Sequence, residues 1–315
     1  MHRQKHIHKN NKIPYLKCFS VFQAAFNKES TMNNAKAIIT FCSPNGTTKA
    51  VAEKISELHR QDGADVTLVN LGMKDGGDTA LQLINQCVQQ GGTPVIYIGS
   101  PVYGSRAIPP VMDFIERLPQ CSGALAVPFV TWGGVTRGFA LYQMAEALQR
   151  KGFTLPGAAE IVAAHSMTWK ADSPVEAGRP DASDLEKISS LVKNVTEKIK
   201  SGTNSGVDIA PFKEGRAADF DEVFSIPFSA FSAKMPPKKI DEDACTQCKI
   251  CADMCPADAI RFSPYPVFSD TCIACFACVR NCPEEAIGIP VEALNSKVQE
   301  RAAVSTEESV TAIYG

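Results

Sequence analysis

Twelve cysteines in 315 residues carry most of the chemistry this sequence can do. Cys18, Cys42, Cys87 and Cys121 are scattered, while eight lie between Cys245 and Cys282. A secreted disulfide framework would spread its cysteines across a small chain behind a signal peptide. This chain does neither, so the cysteines read as ligands in a reducing, cytoplasmic compartment. The eight form two near-copies in succession, Cys245-Thr-Gln-Cys248-Lys-Ile-Cys251-Ala-Asp-Met-Cys255-Pro256 and Cys272-Ile-Ala-Cys275-Phe-Ala-Cys278-Val-Arg-Asn-Cys282-Pro283. Ile260 and Ile287 hold equivalent places after the two prolines.

Both copies follow C-x2-C-x2-C-x3-C-P, the spacing that binds iron–sulfur cubes. Two-residue gaps let three thiolates wrap one set of corners, and the fourth cysteine starts a turn that carries it across to the other cube. One cluster therefore takes Cys245, Cys248, Cys251 and Cys282, and the other takes Cys272, Cys275, Cys278 and Cys255. The alternative is a pair of zinc sites. Zinc ribbons join C-x2-C to a second pair roughly 15–20 residues later, which this packing does not match. Over about fifty residues the block resembles the bacterial-type 2[4Fe–4S] ferredoxins, and the resemblance implies one-electron transfer through two [4Fe–4S] clusters.

A second group of residues lies further upstream. Ser43-Pro44-Asn45-Gly46-Thr47-Thr48 links an apolar run to a helical pattern, placing backbone N–H groups and a positive helix end around an anion. It has neither G-x-x-x-x-G-K-[ST] nor G-x-G-x-x-G, which disfavours a triphosphatase loop and a dinucleotide site. Two later loops, Gly99-Ser100-Pro101-Val102-Tyr103-Gly104 and Thr131-Trp132-Gly133-Gly134, also follow apolar runs. Ligands of open α/β sheets bind at such carboxyl ends, where aromatic rings flank a flat ligand and glycines admit the backbone.

Together the three loops resemble the flavodoxin-like FMN-binding fold. The resemblance implies a phosphate site at Ser43, Asn45, Gly46, Thr47 and Thr48. It puts Ser100, Pro101, Val102, Tyr103 and Gly104 on one side of the flavin ring and Thr131, Trp132, Gly133 and Gly134 on the other. The usual phosphate loop, T/S-x-T-G-N-T, is altered here: Asn45 replaces a Thr and Thr47 replaces the Asn. The order of the two parts is similar to that of the flavodoxin–ferredoxin fusion proteins of anaerobic bacteria and archaea.

The elements that must position these residues follow from periodicity. Lys36–Cys42, Asp65–Leu71, Pro94–Gly99, Ala124–Thr131 and Gly157–Ala163 read as strands. Thr48–Arg60, Ala80–Gln90, Pro110–Leu118, Phe139–Lys151 and Ser183–Lys200 read as helices, with Asp181 or Ser183 as a cap and Gly202 as a stop. Such alternation builds a doubly wound parallel sheet of five strands. A small α+β two-cluster domain of the ferredoxin type follows it. The organisation expected is a disordered extension over 1–31, with Met32 as a candidate start, then an FMN-binding domain over 32–202. A connector over 203–239 carries Phe220, Phe224, Phe228 and Phe231 as an ordered strap. The ferredoxin domain covers 240–289 and a polar, partly helical tail 290–315.

Composition limits the function classes. With 44% hydrophobic residues the chain has enough apolar surface for a core, so fibrous and disordered classes are excluded. No run of ~20 apolar residues occurs to span a membrane. The net charge of −2 hides an excess of +5 over residues 1–31, balance over 32–240, and −7 over 241–315. The acidic end favours docking to basic redox partners, a donor and an acceptor, with a second copy of the chain as another partner. A nucleic-acid partner is not expected. The reading that results is an electron-transfer iron–sulfur flavoprotein carrying FMN and two [4Fe–4S] clusters. The alternatives are a flavin-dependent reductase of NAD(P)H or a small acceptor, and a redox sensor. Arg106 and Arg137 are candidates to stabilise anionic reduced flavin, and His165 to approach the ring. Cys42, Cys87 and Cys121 read as packing residues.

Overall fold

The computed structural model describes residues 36–315 except Gly91 and Asn204, so the readings of Cys18, Met32 and the extension lie outside it. Strand β1 (Lys36–Phe41) is a β-branched and aromatic run buried along nearly its whole length, as a strand covered on both faces must be. It leads into α1 (Thr47–Gln61), β2 (Asp65–Asn70), α2 (Gly76–Gln89), β3 (Val95–Tyr103), the short β4 (Arg106–Ala107) and α3 (Pro109–Arg117). Then come β5 (Leu125–Trp132), α4 (Ala140–Arg150), β6 (Ala158–Val162) and α5 (Ala182–Ser201). The parallel strands lie in the order β2-β1-β3-β5-β6, which is the flavodoxin order with its switch point between β1 and β3. Each element predicted from periodicity is present. Strand β3 runs past the expected Gly99 to Tyr103, because Val102 and Tyr103 pair back with β4 as a small hairpin.

One layer of core lies between the sheet and α1 and α5. Val51 and Ile55 of α1 and Ile188, Leu191, Val192 and Val195 of α5 pack on Ile39, Tyr97, Val127 and Ile161. Asp181 caps α5 in a capping box, accepting from Ser183 and Asp184 N–H while Asp184 accepts from Asp181 N–H.

The connector is folded. A 3₁₀ turn (Ala210–Lys213) precedes α6 (Phe220–Ser225) and α7 (Phe228–Ala233). Phe220 meets Phe139 and Tyr142 edge-on at 5.1 and 5.7 Å, so the strap lies along α4.

The cysteine block contains β7 (Lys239–Ile240), α8 (Ile250–Asp253), β8 (Ile260–Phe262), β9 (Pro266–Phe268), α9 (Ala277–Arg280) and β10 (Ile287–Gly288). β7 pairs with β10 and β8 with β9, both antiparallel. Ile260 and Ile287 are buried together between the halves.

The segment 290–315, expected to be polar and partly helical, is folded. It forms α10 (Val291–Ala303) and β11 (Ala312–Tyr314), which pairs antiparallel with β6 at the edge of the main sheet. The sheet expected to hold five strands thus gains one from the far end of the chain. Buried Glu160 of β6 fixes the arrangement, taking Arg216 at 2.8 Å, Arg137 at 3.5 Å and the Tyr314 hydroxyl at 3.0 Å. A buried carboxylate needs such partners. All the described residues belong to one compact unit, and among them no helix is long and apolar enough to cross a membrane.

Candidate redox site

The loops after β1, β3 and β5 converge on one cleft of about 360 Å³. Of the predicted residues, Ser43, Asn45, Thr47, Thr48, Pro101, Val102, Tyr103, Gly104, Thr131, Trp132 and Gly133 line it. The first turn of α1 opens into it, and the N–H groups there have no intrahelical partners. Ser43 Oγ accepts from Lys49 N–H at 3.0 Å, and Thr48 and Thr131 share a hydroxyl hydrogen bond of 2.7 Å. Asn45 Nδ2 donates to the Tyr103 hydroxyl at 2.5 Å. That leaves Asn45 Oδ1 buried without a partner, as is Trp132 Nε1. Buried orphans of this kind are costly, and a polar ligand in the cleft would satisfy them. The fit to a flavin phosphate and ring is therefore good.

Three predicted residues do not line the cleft. Gly46 sits just before α1 at φ 89° and contributes backbone shape. Ser100 is buried, its hydroxyl donating to Pro101 C=O and accepting from Ile108 N–H. Gly134 faces Glu176. The two arginine candidates are also absent from its walls. Arg106 donates to Ile226 C=O at 2.8 Å and lies over the rings of Phe224 and Phe228, so it pins the strap. Arg137 is taken by Glu307 at 3.1 Å and by Glu160.

The remaining wall comes from segments far away in sequence. Phe231, Lys234 and Met235 of the strap and Val298 and Arg301 of α10 face the cleft, as does His165. Gly104 has φ 55°, and a Cβ there would meet the Phe231 ring at 2.8 Å, so the strap closes directly on the β3 loop. His165 Nδ1 accepts from Met167 N–H at 3.2 Å, which assigns the proton of the neutral ring to Nε2. Burial, and then Arg301, push its pKa down to about 4.

The eight cysteines form two rings. Cys245, Cys248, Cys251 and Cys282 surround one small cavity. Cys255, Cys272, Cys275 and Cys278 surround another. Among the described residues no three His, Cys, Asp or Glu side chains converge on a point where they could hold a metal ion. Each cysteine quartet instead lines one of the two cavities. The electrostatic neighbours divide in the same way. Burial raises Cys251, with Cys248 and Cys282 adding to it. Burial pushes Cys275 up to about 11 and Cys278 up to about 12, with Cys255 and Cys272 adding.

The backbone repeats with the sequence. Gln247, Lys249 and Asp258 have positive φ of 55°, 65° and 46°, and their equivalents in the second copy, Ala274, Phe276 and Glu285, have 53°, 57° and 48°. Left-handed backbone costs a non-glycine residue roughly 1–2 kcal/mol, and alternating it with right-handed residues turns successive N–H groups inward to form an anion nest. The hydrogen bonds match too: Cys255 Sγ accepts from Ala259 N–H and Cys282 Sγ from Ala286 N–H, each at 3.3 Å. Lys238 Nζ donates to Cys272 Sγ at 3.3 Å. Such donors suit thiolates bound to iron and tune cluster potentials.

The two rings differ in surroundings. The first is walled only by the cysteine block, and Cys248 is exposed. The second is pressed against the flavodoxin-like part. A Cβ on Gly72, after β2, would lie 3.0 Å from both Cys42 Sγ and Pro256 Cβ, so a side chain there would press the two apart. Ser232 of the strap donates to Cys272 C=O. Cys42, fully buried, has its pKa raised by burial and then by Cys275 and Cys255. Its packing role is at this junction.

The family model for the 4Fe-4S binding domain matches residues 238–261, which takes in the first cysteine copy and stops before the second. No curated protein matches the chain. Similar solved structures include a flavodoxin from the domain Archaea, 22% identical over 52% of this chain and 99% of that one, with a TM-score of 0.39. The two-electron reduced flavodoxin of Megasphaera elsdenii is 20% identical over 51% and 98%, with a TM-score of 0.37. Rubredoxin oxygen:oxidoreductase from Desulfovibrio gigas is 17% identical over 54% of this chain, with a TM-score of 0.40, and only 37% of its length is covered. By its strand order and its iron–sulfur match, the chain joins a flavodoxin-like α/β domain to a ferredoxin-type domain.

Proposed function

We propose that the protein is an electron-transfer iron–sulfur flavoprotein that holds FMN in the cleft and one [4Fe–4S] cluster in each cysteine ring. Bound FMN exchanges one or two electrons, whereas each cluster exchanges one at a time. Ser43, Asn45, Thr47, Thr48 and the first turn of α1 hold the phosphate. Pro101, Val102, Tyr103, Thr131, Trp132 and Gly133 enclose the ring, with the strap and α10 excluding water. The ring of Cys255, Cys272, Cys275 and Cys278 holds an inner cluster beside the flavin. The ring of Cys245, Cys248, Cys251 and Cys282 holds an outer cluster beneath a surface that includes exposed Cys248, Ile250 and Met254.

The observation that carries this reading is the position of the second cysteine ring between the flavin loops and the first ring. Tyr103 stands at the junction: it bonds Asn45, and burial followed by the Cys275 thiol raises its pKa. Electrons enter or leave through the outer cluster, and the acidic excess over residues 241–315 favours a basic protein partner. Holoprotein mixed with NADH or NADPH and no second protein tests the carrier role. The carrier reading expects no sustained oxidation of the nucleotide, and steady turnover would overturn it in favour of a reductase.

A further inference from the structure

Arg280, in the last turn of α9, is half-buried at the junction between the two parts of the chain. Its Nη1 donates to Ser166 C=O at 2.7 Å, in the loop that lines the flavin cleft. Its Nη2 reaches Cys275 C=O at 3.1 Å and Pro44 C=O, in the phosphate loop, at 3.4 Å. The guanidinium stacks on Trp169 at 5.1 Å. Three carbonyls and a ring fix its position, yet among the described residues no carboxylate pairs with it. A cation withdrawn from water without an anionic partner is costly unless something supplies the opposite charge. The group that would supply it is the inner cluster, which carries net negative charge with its four thiolates.

The internal repeat sharpens this point. The position equivalent to Arg280 in the first copy is Asp253, which is exposed. The two halves of a near-symmetric unit thus carry opposite charges at one place. Lys238 adds to the asymmetry: among the described residues it is the one Lys, Arg, Asp or Glu walling the inner ring, whereas Lys249 and Glu284 offset each other on the outer one. Burial alone would lower the potential of the inner cluster, because the reduced form carries the larger charge.

We propose that Arg280, together with Lys238 on the ring wall, is a built-in counter-charge of the inner cluster and raises its potential, offsetting the cost of burial. The proposal rests on the two-cluster reading above. Arg280 is a positioning residue that acts through charge and touches no substrate.

The test uses full-length holoprotein, reconstituted anaerobically, with both cluster midpoints followed by EPR during a redox titration. In R280Q one midpoint should fall so that electron sharing shifts at least tenfold toward the other cluster, which is about 59 mV for a one-electron couple. R280K should keep the wild-type separation. Unmoved midpoints in an R280Q protein of full iron content, or equal movement of both, would overturn the proposal. If R280Q loses iron, R280K decides. A separation within threefold of wild type supports the role of charge, and a tenfold shift overturns it by showing that geometry sets the potential. Wild-type protein lacking flavin or one cluster would instead fail the underlying reading, before any variant is made.

Discussion

At the scale of single residues, the cysteines were the most legible feature, because ligand spacing is local. Two-residue gaps need the strained backbone seen at Gln247 and Lys249 and repeated at Ala274 and Phe276. The arginines were the least legible. Arg106 and Arg137 lie near the flavin loops in sequence, but their partners Ile226 and Glu307 are 120 and 170 residues away. Arg280 arrives at the loops from the other direction, 236 residues from Pro44. Contacts of that range follow no periodicity. His165 was legible as a candidate, and its surroundings now give a pH dependence. The folded ring stays neutral down to about pH 4, whereas the unfolded one takes a proton near 6.5. Between those values the unfolded state binds more protons, so stability falls as pH falls. Denaturant midpoints should decline from pH 7 to pH 5 by an amount worth about 2 kcal/mol from this group. His59, lowered by burial against Tyr97, adds in the same sense. In H165N the decline should flatten, and an identical decline would show that His165 is not the group responsible.

At the scale of elements, strong period-2 and period-3.6 patterns located the five parallel strands and five helices to within a few residues, apart from the longer β3 and the earlier start of α2. The carboxyl-terminal strand was missed because Ala312–Tyr314 is three residues long and sits among polar neighbours. Its strand state comes from the edge of β6, which it covers, and edges left open invite aggregation. Thr311 adds to the join, accepting from Val162 N–H at 3.0 Å and donating to Asp184 at 2.5 Å. Removing residues 311–315 should therefore lower stability by about 3 kcal/mol, as expected for losing hydrogen bonds to charged groups. It should also strip amide protection from β6 in hydrogen exchange. Unchanged melting and protection would mean that β11 does not hold the edge of β6.

At the scale of the whole molecule, the two parts are not beads on a linker. The strap and α10 complete the cleft, and Gly72 lets Pro256 approach Cys42 closely, bringing the inner ring against the loops. The sequence pattern supplied both halves but not their contact, which depends on side chains at the loop ends. The proposed electron path runs in order through the cleft, the inner ring and the outer ring. That order has meaning only if each site takes its own group. Iron, acid-labile sulfide and flavin analysis of the anaerobically purified protein measures this directly. The account predicts about eight irons and eight sulfides per chain, four in each of two cubes, with one FMN. Zinc without sulfide would contradict it, as would about four irons per chain or full iron with no flavin.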